Sequence, residues 1–224
     1  MDYSFLTSTD LFSGVKEDEI KEMLSCLSVH EKKYKKDAVI CRAGEAVTEV
    51  GLVQSGSVNI VANFYWGSSN IFSHVEKGQI FAENYAAAKD CGLTCDVVAA
   101  EDTSVLFLDM DRLLTTCAKG CAFHNKTIHN LLRISARKNL ELSARMMHIA
   151  PKSIRGRLLS YLSEQAVKNG GSSFRIPFSR QQLADYLSVD RSALSGELSK
   201  MQKDGLISYH KNEFVLSDKA RMYV

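Results

Sequence analysis

The chain has 224 residues, of which 45% are apolar and 24% are charged, and its formal net charge at pH 7 is +2. This length accommodates two modest domains, and the apolar content is sufficient for ordinary hydrophobic cores. The sequence has no run of about 18 apolar residues and no N-terminal basic segment followed by an apolar core, so we expect neither a membrane span nor a secretory signal.

Charge is unevenly distributed along the chain. Residues 151–224 hold 12 Lys and Arg against 7 Asp and Glu, whereas residues 1–150 hold 16 against 19. A basic C-terminal third behind a mildly acidic body is typical of a nucleic-acid-binding module attached to another domain, although uneven solvated charge has the same pattern. Six cysteines without a secretory signal indicate free thiols or a metal site in a reducing compartment. We therefore expect a soluble cytoplasmic protein.

The first half of the chain is predicted to be one helix followed by a β-rich region. The apolar spacing between Asp10 and Cys26 favours a capped helix with one inward face. From Val29 to Leu108, short β-branched and aromatic runs are interrupted by glycines about 11 to 14 residues apart. This rhythm is typical of an antiparallel sandwich or barrel.

A long helix is predicted from Asp109 to Ile149, a stretch without proline. Its apolar stripe must be covered, because isolated helices are marginal in water. A second copy of the helix or the chain's own sheet could provide that cover. Ser135 and Asn139 interrupt the stripe, and polar residues at a coiled-coil seam can set the register at some cost in stability. Pro151 ends the helix at a natural hinge, since proline disfavours helix at the preceding residue.

Two short helices joined by a tight turn are predicted between Ser179 and Leu206. Asp190 is the expected N-cap of the second helix, and Gly205 is its expected C-terminal stop. A helix over residues 152–168 and a short strand precede this pair, and a hairpin follows it. One face of each helix is apolar, as a helix-turn-helix requires, through Leu183, Ala184 and Leu187 in the first and Leu194, Leu198 and Met201 in the second.

This segment resembles the winged helix-turn-helix of the CRP/FNR family of bacterial transcription regulators. The resemblance is specific here and extends more loosely over nearly the whole chain. Residues 40–45 and 53–58 also resemble two strand-turn signatures of the family's cyclic-nucleotide-binding β-roll. The resemblance is carried by Ser179-Arg180-Gln181, the helix 182–187, the recognition helix 191–195 with its continuation 197–201, and the wing Gly205-Leu206-Ile207.

The family's architecture is α+β. It implies a β-roll sensor domain of the double-stranded β-helix or jelly-roll type over residues 1–120, and a long dimerisation helix and hinge over 121–150. A winged helix-turn-helix DNA-binding domain would follow over 151–224. The implied mechanism is a population shift, in which an effector changes how the β-roll seats on the long helices. That change re-aims two recognition helices toward half-sites about one DNA turn (~34 Å) apart.

Candidate DNA-binding residues lie on and beside the recognition helix. The resemblance places a base-reading arginine at Arg191, whose guanidinium can chelate guanine O6 and N7. Ser192 and Gly196 are shorter than the side chains that the family commonly carries there, so we expect fewer base contacts and a different operator. Ser195 is expected at a base edge or phosphate. Backbone and positioning contacts are expected from Ser179, Arg180, Gln181, Asp190 and Lys200.

The resemblance also points to an effector pocket. In the family's cyclic-nucleotide receptors, a Phe-Gly-Glu turn caps the ribose, and an Arg-Ser pair about ten residues later holds the phosphate. The corresponding stretch 93–97 has no arginine and an added carboxylate, with Lys89 as the only nearby cation. A buried phosphate needs a charge partner, so we do not expect cyclic AMP in the usual pose. The pocket candidates are Phe81, Ala82, Glu83, Asn84, Thr94 and Cys95, although Glu83 could equally be a satisfied strand-end carboxylate.

Cysteine and histidine chemistry offers another kind of sensor. The pairs Cys91/Cys95 and Cys117/Cys121 each have C-x3-C spacing, and four thiolates could hold zinc or an iron–sulfur cluster if the pairs met. The same spacing also suits small buried hydrophobes on one helix face. Haem ligation is a further option, with His74, His124, His129 and His148 as candidates. No metal site is therefore assigned, and the cofactor stays unknown.

Together these features predict a homodimeric, sequence-specific DNA-binding transcription regulator with an unidentified effector. The expected partners are a double-stranded operator and a second copy, with RNA polymerase and a small molecule as further candidates, and no membrane. No P-loop, G-x-S-x-G, H-E-x-x-H or paired-carboxylate motif occurs, so an enzyme is not expected. The alternatives are a thiol-, metal- or haem-based redox or gas-responsive regulator of this fold, and a small-molecule signalling module without DNA contact.

Overall fold

The computed structural model of the chain describes residues 2–65, 67, 69–115 and 122–222. They form two compact units, Met1–Arg137 and Lys138–Val224. In the described part of the chain, none of the helices combines the length and apolarity that crossing a membrane requires.

The N-terminal unit begins with two helices, α1 (Tyr3–Thr7) and α2 (Glu17–Cys26), where the sequence predicts a single helix from Asp10. The chain leaves helical geometry at Gly14, whose φ is +73°. Helix α2 then starts where Glu19 accepts a hydrogen bond from the Lys16 backbone N–H at 2.8 Å. Three acidic residues in the first turn also suit the positive end of the helix dipole. Helix α2 therefore starts at Glu17, seven residues after the predicted start at Asp10.

Eight strands follow and form two four-stranded antiparallel sheets, in the orders β1-β8-β3-β6 and β2-β7-β4-β5. Buried apolar side chains fill the core of this unit. The arrangement confirms the predicted β-roll. The strands are β1 (His30–Tyr34), β2 (Val39–Cys41), β3 (Glu49–Ser55), β4 (Val58–Asn63), β5 (Ser69–Val75), β6 (Ile80–Phe81), β7 (Asp96–Ala99) and β8 (Thr103–Asp109).

One glycine decides how β6 packs on β3. Gly51 pairs with Phe81 across the two strands, and a Cβ on Gly51 would lie 2.2 Å from the Phe81 ring. No side chain fits there, so the end of the Phe81 ring occupies the space above Gly51, and Phe81 is 2% exposed. This packing places the turn at residues 82–83 and the helix that follows it, α3 (Glu83–Ala88).

The predicted helix over 109–149 is two helices, α4 (Met110–Leu114) and α5 (Ala122–Ile149). Asp109 caps α4 by accepting from the Arg112 N–H at 2.9 Å. The N-terminal part of α5 packs onto the N-terminal unit through His124, Thr127, Asn130, Leu131 and Ile134, all of which are buried. Asn130 donates to the Leu11 and Ser13 carbonyls. The helix ends two residues before Pro151, as predicted.

The C-terminal unit is a winged helix-turn-helix, as predicted. A three-stranded antiparallel sheet of order β10-β11-β9 packs with three helices around buried residues that include Leu162, Leu183, Leu198 and Phe214. The elements are α6 (Ile154–Asn169), β9 (Ser173–Arg175), α7 (Arg180–Tyr186), α8 (Arg191–Lys203), β10 (Ile207–His210) and β11 (Glu213–Leu216), followed by a short 3-10 turn, Asp218–Met222.

Candidate DNA interface

Helix α8 is closed at both ends by the residues that the sequence predicts. Asp190 accepts hydrogen bonds from Ser192 Oγ at 2.5 Å and from the Ala193 N–H at 2.9 Å. These bonds hold the pKa of the Asp190 carboxyl below its usual value, the Ser192 bond contributing most. Gly205, with φ +72°, ends the helix, and the Leu206 N–H reaches back to the Met201 carbonyl at 3.0 Å. Asp190 therefore acts on the helix itself, which leaves it as a positioning group.

The two faces of α8 differ sharply. Leu194, Leu198 and Met201 are completely buried, whereas the opposite face lies in solvent. Arg191 at its N-terminal end is exposed and has no acidic partner within the described residues. The other candidate residues on this face are Ser192, Gly196 and Lys200, all exposed, and Ser195, which is half-buried.

Two acidic side chains, Glu197 on α8 and Asp204 just after it, are paired with α6. Arg155 of α6 pairs with Glu197 at 2.6 Å and with Asp204 at 2.8 Å. The hydrogen bond that Arg155 donates to Glu197, together with the weaker one that it donates to Asp204, raises the pKa of Arg155. Lys200 lies 4.0 Å from the second Glu197 oxygen and remains largely exposed. Arg155 pairs with both acids but carries one positive charge against their two negative charges, whereas Arg191 at the leading end of α8 is exposed and keeps its charge in solvent.

Two candidate positions on α8 have limited reach. The Ser195 hydroxyl donates to the Arg191 carbonyl at 2.9 Å, so its proton is used inside the helix and its lone pairs are left to accept. A Cβ added to Gly196 would meet nothing within 4 Å. The position is therefore open space, and the packing of α8 does not require a small residue there.

The N-terminus of α7 is held by local hydrogen bonds. Ser179 and Gln182 form a capping box, with the Ser179 N–H donating to Gln182 Oε1 at 2.8 Å and the Gln182 N–H donating to Ser179 Oγ at 3.3 Å. Gln181 donates to Asp185 at 2.8 Å, one turn along the helix. The helix start keeps free N–H groups, and these form a phosphate-binding feature in many proteins.

Arg180 has a role that the sequence does not reveal. Its guanidinium donates to the Lys211 carbonyl at 3.2 Å and lies 5.1 Å from the centre of the Tyr209 ring and 5.9 Å from that of Phe214. Burial lowers the pKa of Arg180. The side chain thus fastens the turn of the wing to α7. No local pattern signals this contact, because 31 residues separate the two groups.

The wing carries two exposed basic residues that are not among the candidates predicted from the sequence. Lys211 occupies the hairpin turn with φ +55° and is exposed, and Arg175 of β9 is exposed beside it, opposite Glu213. The only signal for Lys211 in the sequence is a basic residue at the centre of a predicted hairpin. The structure places it at the end of the wing that Arg180 holds.

The candidate effector residues are brought together around the start of α3. Phe81 is buried, Ala82 has φ +63°, and Glu83 is buried at 4% exposure as the first residue of the helix. Tyr85 connects this turn to the second candidate stretch, with its hydroxyl 2.6 Å from Thr94 Oγ1. Asn84 is exposed and Cys95 is half-buried.

The groups that would face a phosphate are apolar or already paired. The stretch 93–97 has no arginine, and its first residue, Leu93, is buried at 5% exposure. Lys89, the nearby cation in the sequence, pairs with Asp111 at 2.5 Å. The added carboxylate, Asp96, accepts from the Ala43 N–H and the Asn63 side chain, both at 2.6 Å. These contacts leave the pocket poorly suited to an anion.

The cysteine and histidine candidates are dispersed. Cys91 is exposed and Cys95 half-buried, while Cys117 and Cys121 lie outside the described residues. Among the residues that the structure describes, no three His, Cys, Asp or Glu side chains lie close enough to hold a metal ion. His74 contacts Asn59, His124 contacts the Leu113 carbonyl, His129 is exposed, and His148 lies in a cluster of aromatic rings.

Two family models match the sequence. Residues 31–119 match the cyclic nucleotide-binding domain, and residues 156–223 match the Crp-like helix-turn-helix domain. The first range coincides with the β-roll and the second with the winged helix-turn-helix. No curated protein matches the sequence significantly.

Solved structures of similar architecture cover nearly the whole chain. CprK complexed with OCPA aligns with a TM-score of 0.66 at 12% identity, over 92% of this chain and 93% of its own. The c-di-GMP responsive global regulator CLP of Xanthomonas campestris aligns at 0.57 and 17%, over 88% and 97%. The catabolite activator protein of Thermus thermophilus aligns at 0.50 and 21%, over 96% and 97%. At these low identities the structural alignments show a shared fold. The family follows from the two family models, which match in the expected order, and the chain belongs to the CRP/FNR family of transcription regulators.

Proposed function

We propose that this chain is a homodimeric, sequence-specific DNA-binding transcription regulator that reads its operator with α8. The observation that carries the proposal is the exposed face of α8, where Arg191 is open to solvent while Glu197 and Asp204 are paired with Arg155. A helix with one buried stripe and one open face that carries an exposed arginine at its leading end suits insertion into a major groove.

The geometry divides the proposed contacts into two kinds. Arg191 at the leading end of α8 would read a guanine through O6 and N7, a contact that contributes roughly 1–3 kcal/mol of discrimination. Ser192 and Ser195 would add short-range contacts, and Gly196 would add none. The sequence-independent contacts would come from exposed cations and helix N-termini, namely Ser179, Gln181, Lys200 and Lys211. Arg180 would support them by orienting the wing.

The proposed dimer rests on the outer stripe of α5. Leu132, Leu142 and Met146 follow one another at heptad-like spacing and are 65%, 46% and 67% exposed. Large apolar side chains in that pattern are the seam residues of a coiled coil. A second copy of α5 is the cover that suits this stripe best, with Ser135 and Asn139 at the seam to set its register.

The role proposed for the β-roll is to bind an effector other than cyclic AMP in the usual pose. The stretch 93–97 contains no arginine, and Lys89 is paired with Asp111. An uncompensated buried phosphate costs several kcal/mol.

We further propose that the chain acts by binding DNA and carries out no catalysis, since recognition alone accounts for the arrangement of α8 and the wing.

The experiment that tests this function is selection of bound duplexes from a random pool by the full-length protein. Binding of the selected operator and of a scrambled duplex is then measured at 50 and 200 mM salt for the wild type, Arg191→Ala and Lys203→Ala. The last variant is the matched control, because it removes the same charge from the far end of α8. We expect R191A to lose preference at one base pair in each half-site and K203A to keep the selected sequence.

Two results would contradict the proposal. If the wild type recovers no sequence from the pool, the chain does not read DNA as a regulator. If R191A selects the same operator with the same preference at every position, α8 does not dock by its leading end.

A further inference from the structure

The turn between α7 and α8 is tied to helices outside the helix-turn-helix. Arg145 of α5 donates to the Asp185 and Tyr186 carbonyls at 3.1 and 3.0 Å. Arg157 of α6 donates to the Leu187 and Ser188 carbonyls, both at 3.0 Å. The last carbonyls of a helix have no partner within it, so donors from elsewhere are needed. Here two arginines from two different helices bind four consecutive carbonyls.

The elbow that joins α5 to α6 is closely packed. Arg157 also donates from Nε to the Pro151 carbonyl at 3.0 Å, so one guanidinium bridges the elbow and the α7–α8 turn. Ser153 caps α6 by accepting from the Gly156 N–H at 3.0 Å. A Cβ on Gly156 would lie only 2.9 Å from Pro151 Cβ. The proline ring therefore fills the space that glycine leaves.

A cluster of four rings reinforces the same junction. His148 near the end of α5 lies 5.4 Å from the Tyr161 ring of α6 and 5.8 Å from the Tyr186 ring of α7. The Phe178 ring lies 5.0 Å from the Tyr186 ring, tilted by 34°. His148 is 2% exposed and contacts the Tyr186 hydroxyl at 2.9 Å and Glu164 at 3.3 Å. Three helices thus share one buried set of rings.

From these contacts we infer that Arg145 and Arg157 are positioning residues that hold the reading helix at a fixed angle on the end of α5. The elbow at Pro151 is then a rigid joint and does not act as the hinge that the sequence suggests. Helix α8 packs on α7 through buried leucines, so fixing the α7 end fixes α8 as well. The inference rests on the proposed dimeric reading of DNA, because a fixed angle has its effect on the distance between half-sites.

A rigid joint predicts a strict half-site spacing. Inserting one base pair between half-sites moves one of them by about 3.4 Å and turns it by about 35°. We expect the wild type to lose at least about tenfold in affinity on that insertion, which corresponds to about 1.4 kcal/mol. In Arg157→Lys and Arg145→Lys the charge is kept and the fork of donors is lost. We expect the insertion to lower the affinity of these variants by less than about threefold and to leave their half-site sequence preference unchanged.

The control is Lys152→Ala, which removes an exposed charge from the same elbow and should keep the wild-type spacing profile. The quantity compared is the ratio of the affinity for the original spacing to the affinity for the spacing with one inserted base pair. A purely structural loss of stability lowers both affinities by the same factor and leaves this ratio unchanged. An unchanged ratio in both lysine variants would therefore overturn the inference, as would a flat spacing profile in the wild type.

Hydrogen exchange of the full-length protein without DNA tests the joint separately. The amides of Ala150, Gly156 and Arg157 are hydrogen-bonded in the elbow, so we expect slow exchange in the wild type and at least about tenfold faster exchange in R157K. The amides of Leu198 and Met201 serve as an internal reference. Protected elbow amides in a protein that binds no DNA would disprove the proposed function alone. Rapid elbow exchange in a protein that reads its operator would disprove the rigid joint alone.

Discussion

Two glycines in the C-terminal unit are expected to respond in opposite ways to the same substitution. Replacing glycine by alanine within a helix ordinarily stabilises a protein by up to about 1 kcal/mol. Gly196 in α8 has open space where the Cβ would go, so G196A should raise the free energy of unfolding by that amount. In G156A the added Cβ would lie 2.9 Å from Pro151 Cβ and 3.1 Å from Ser153 Oγ. Carbon atoms prefer about 3.5–4.0 Å, and such overpacking costs about 1–3 kcal/mol.

The net expectation for G156A is therefore a loss of up to about 2 kcal/mol, because the steric cost offsets or exceeds the helix preference. Calorimetry of the full-length variants measures the difference directly. For a unit of this size, 1 kcal/mol shifts the midpoint of thermal unfolding by about 4–8 °C. The two variants should thus differ in their effect on the C-terminal transition, one raising its midpoint and the other lowering it. Equal stabilisation by both would show that the elbow has room for a methyl group, and the packing argument at Pro151 would fail.

Two further outcomes follow from Arg180 and His148. Arg180→Ala should weaken binding to all duplexes about equally and flatten the salt dependence of binding. It should also lower the free energy of unfolding by about 1–2 kcal/mol, because a charged hydrogen bond and two ring contacts to the wing are lost. Anisotropy on operator and scrambled duplexes checks this, and a loss confined to the operator would contradict it. Burial lowers the pKa of His148, so the folded unit binds this proton less well than the unfolded chain does. Stability should therefore fall as the pH drops below about 6.5, and urea unfolding from pH 8 to 5 should show a shallower fall in His148→Asn than in the exposed-site control His210→Asn.

Several features of the fold follow from short-range patterns in the chain. The glycine rhythm between Val29 and Leu108 is enough to predict an antiparallel β-roll, since turns and β-branched runs are local properties. The apolar stripe of α8 and its two end residues, Asp190 and Gly205, are likewise readable one helix at a time. The same patterns misplace the start of α2, because the chain turns at Gly14 and the capping contact between Lys16 and Glu19 sets the start at Glu17.

Short-range patterns do not predict the contacts between residues that are far apart in the sequence. Arg180 and Arg191 look alike as exposed basic residues on helix starts, yet only the folded chain shows that Arg180 binds the wing and Arg191 stays open. Lys89 similarly looks available for an anion until Asp111 lies beside it. Periodicity and capping depend on residues that are close together in the sequence, so they specify the helices and strands and the faces that these bury. Which charge pairs with which, and which arginine remains free to meet DNA, depends on groups brought together across tens of residues by packing.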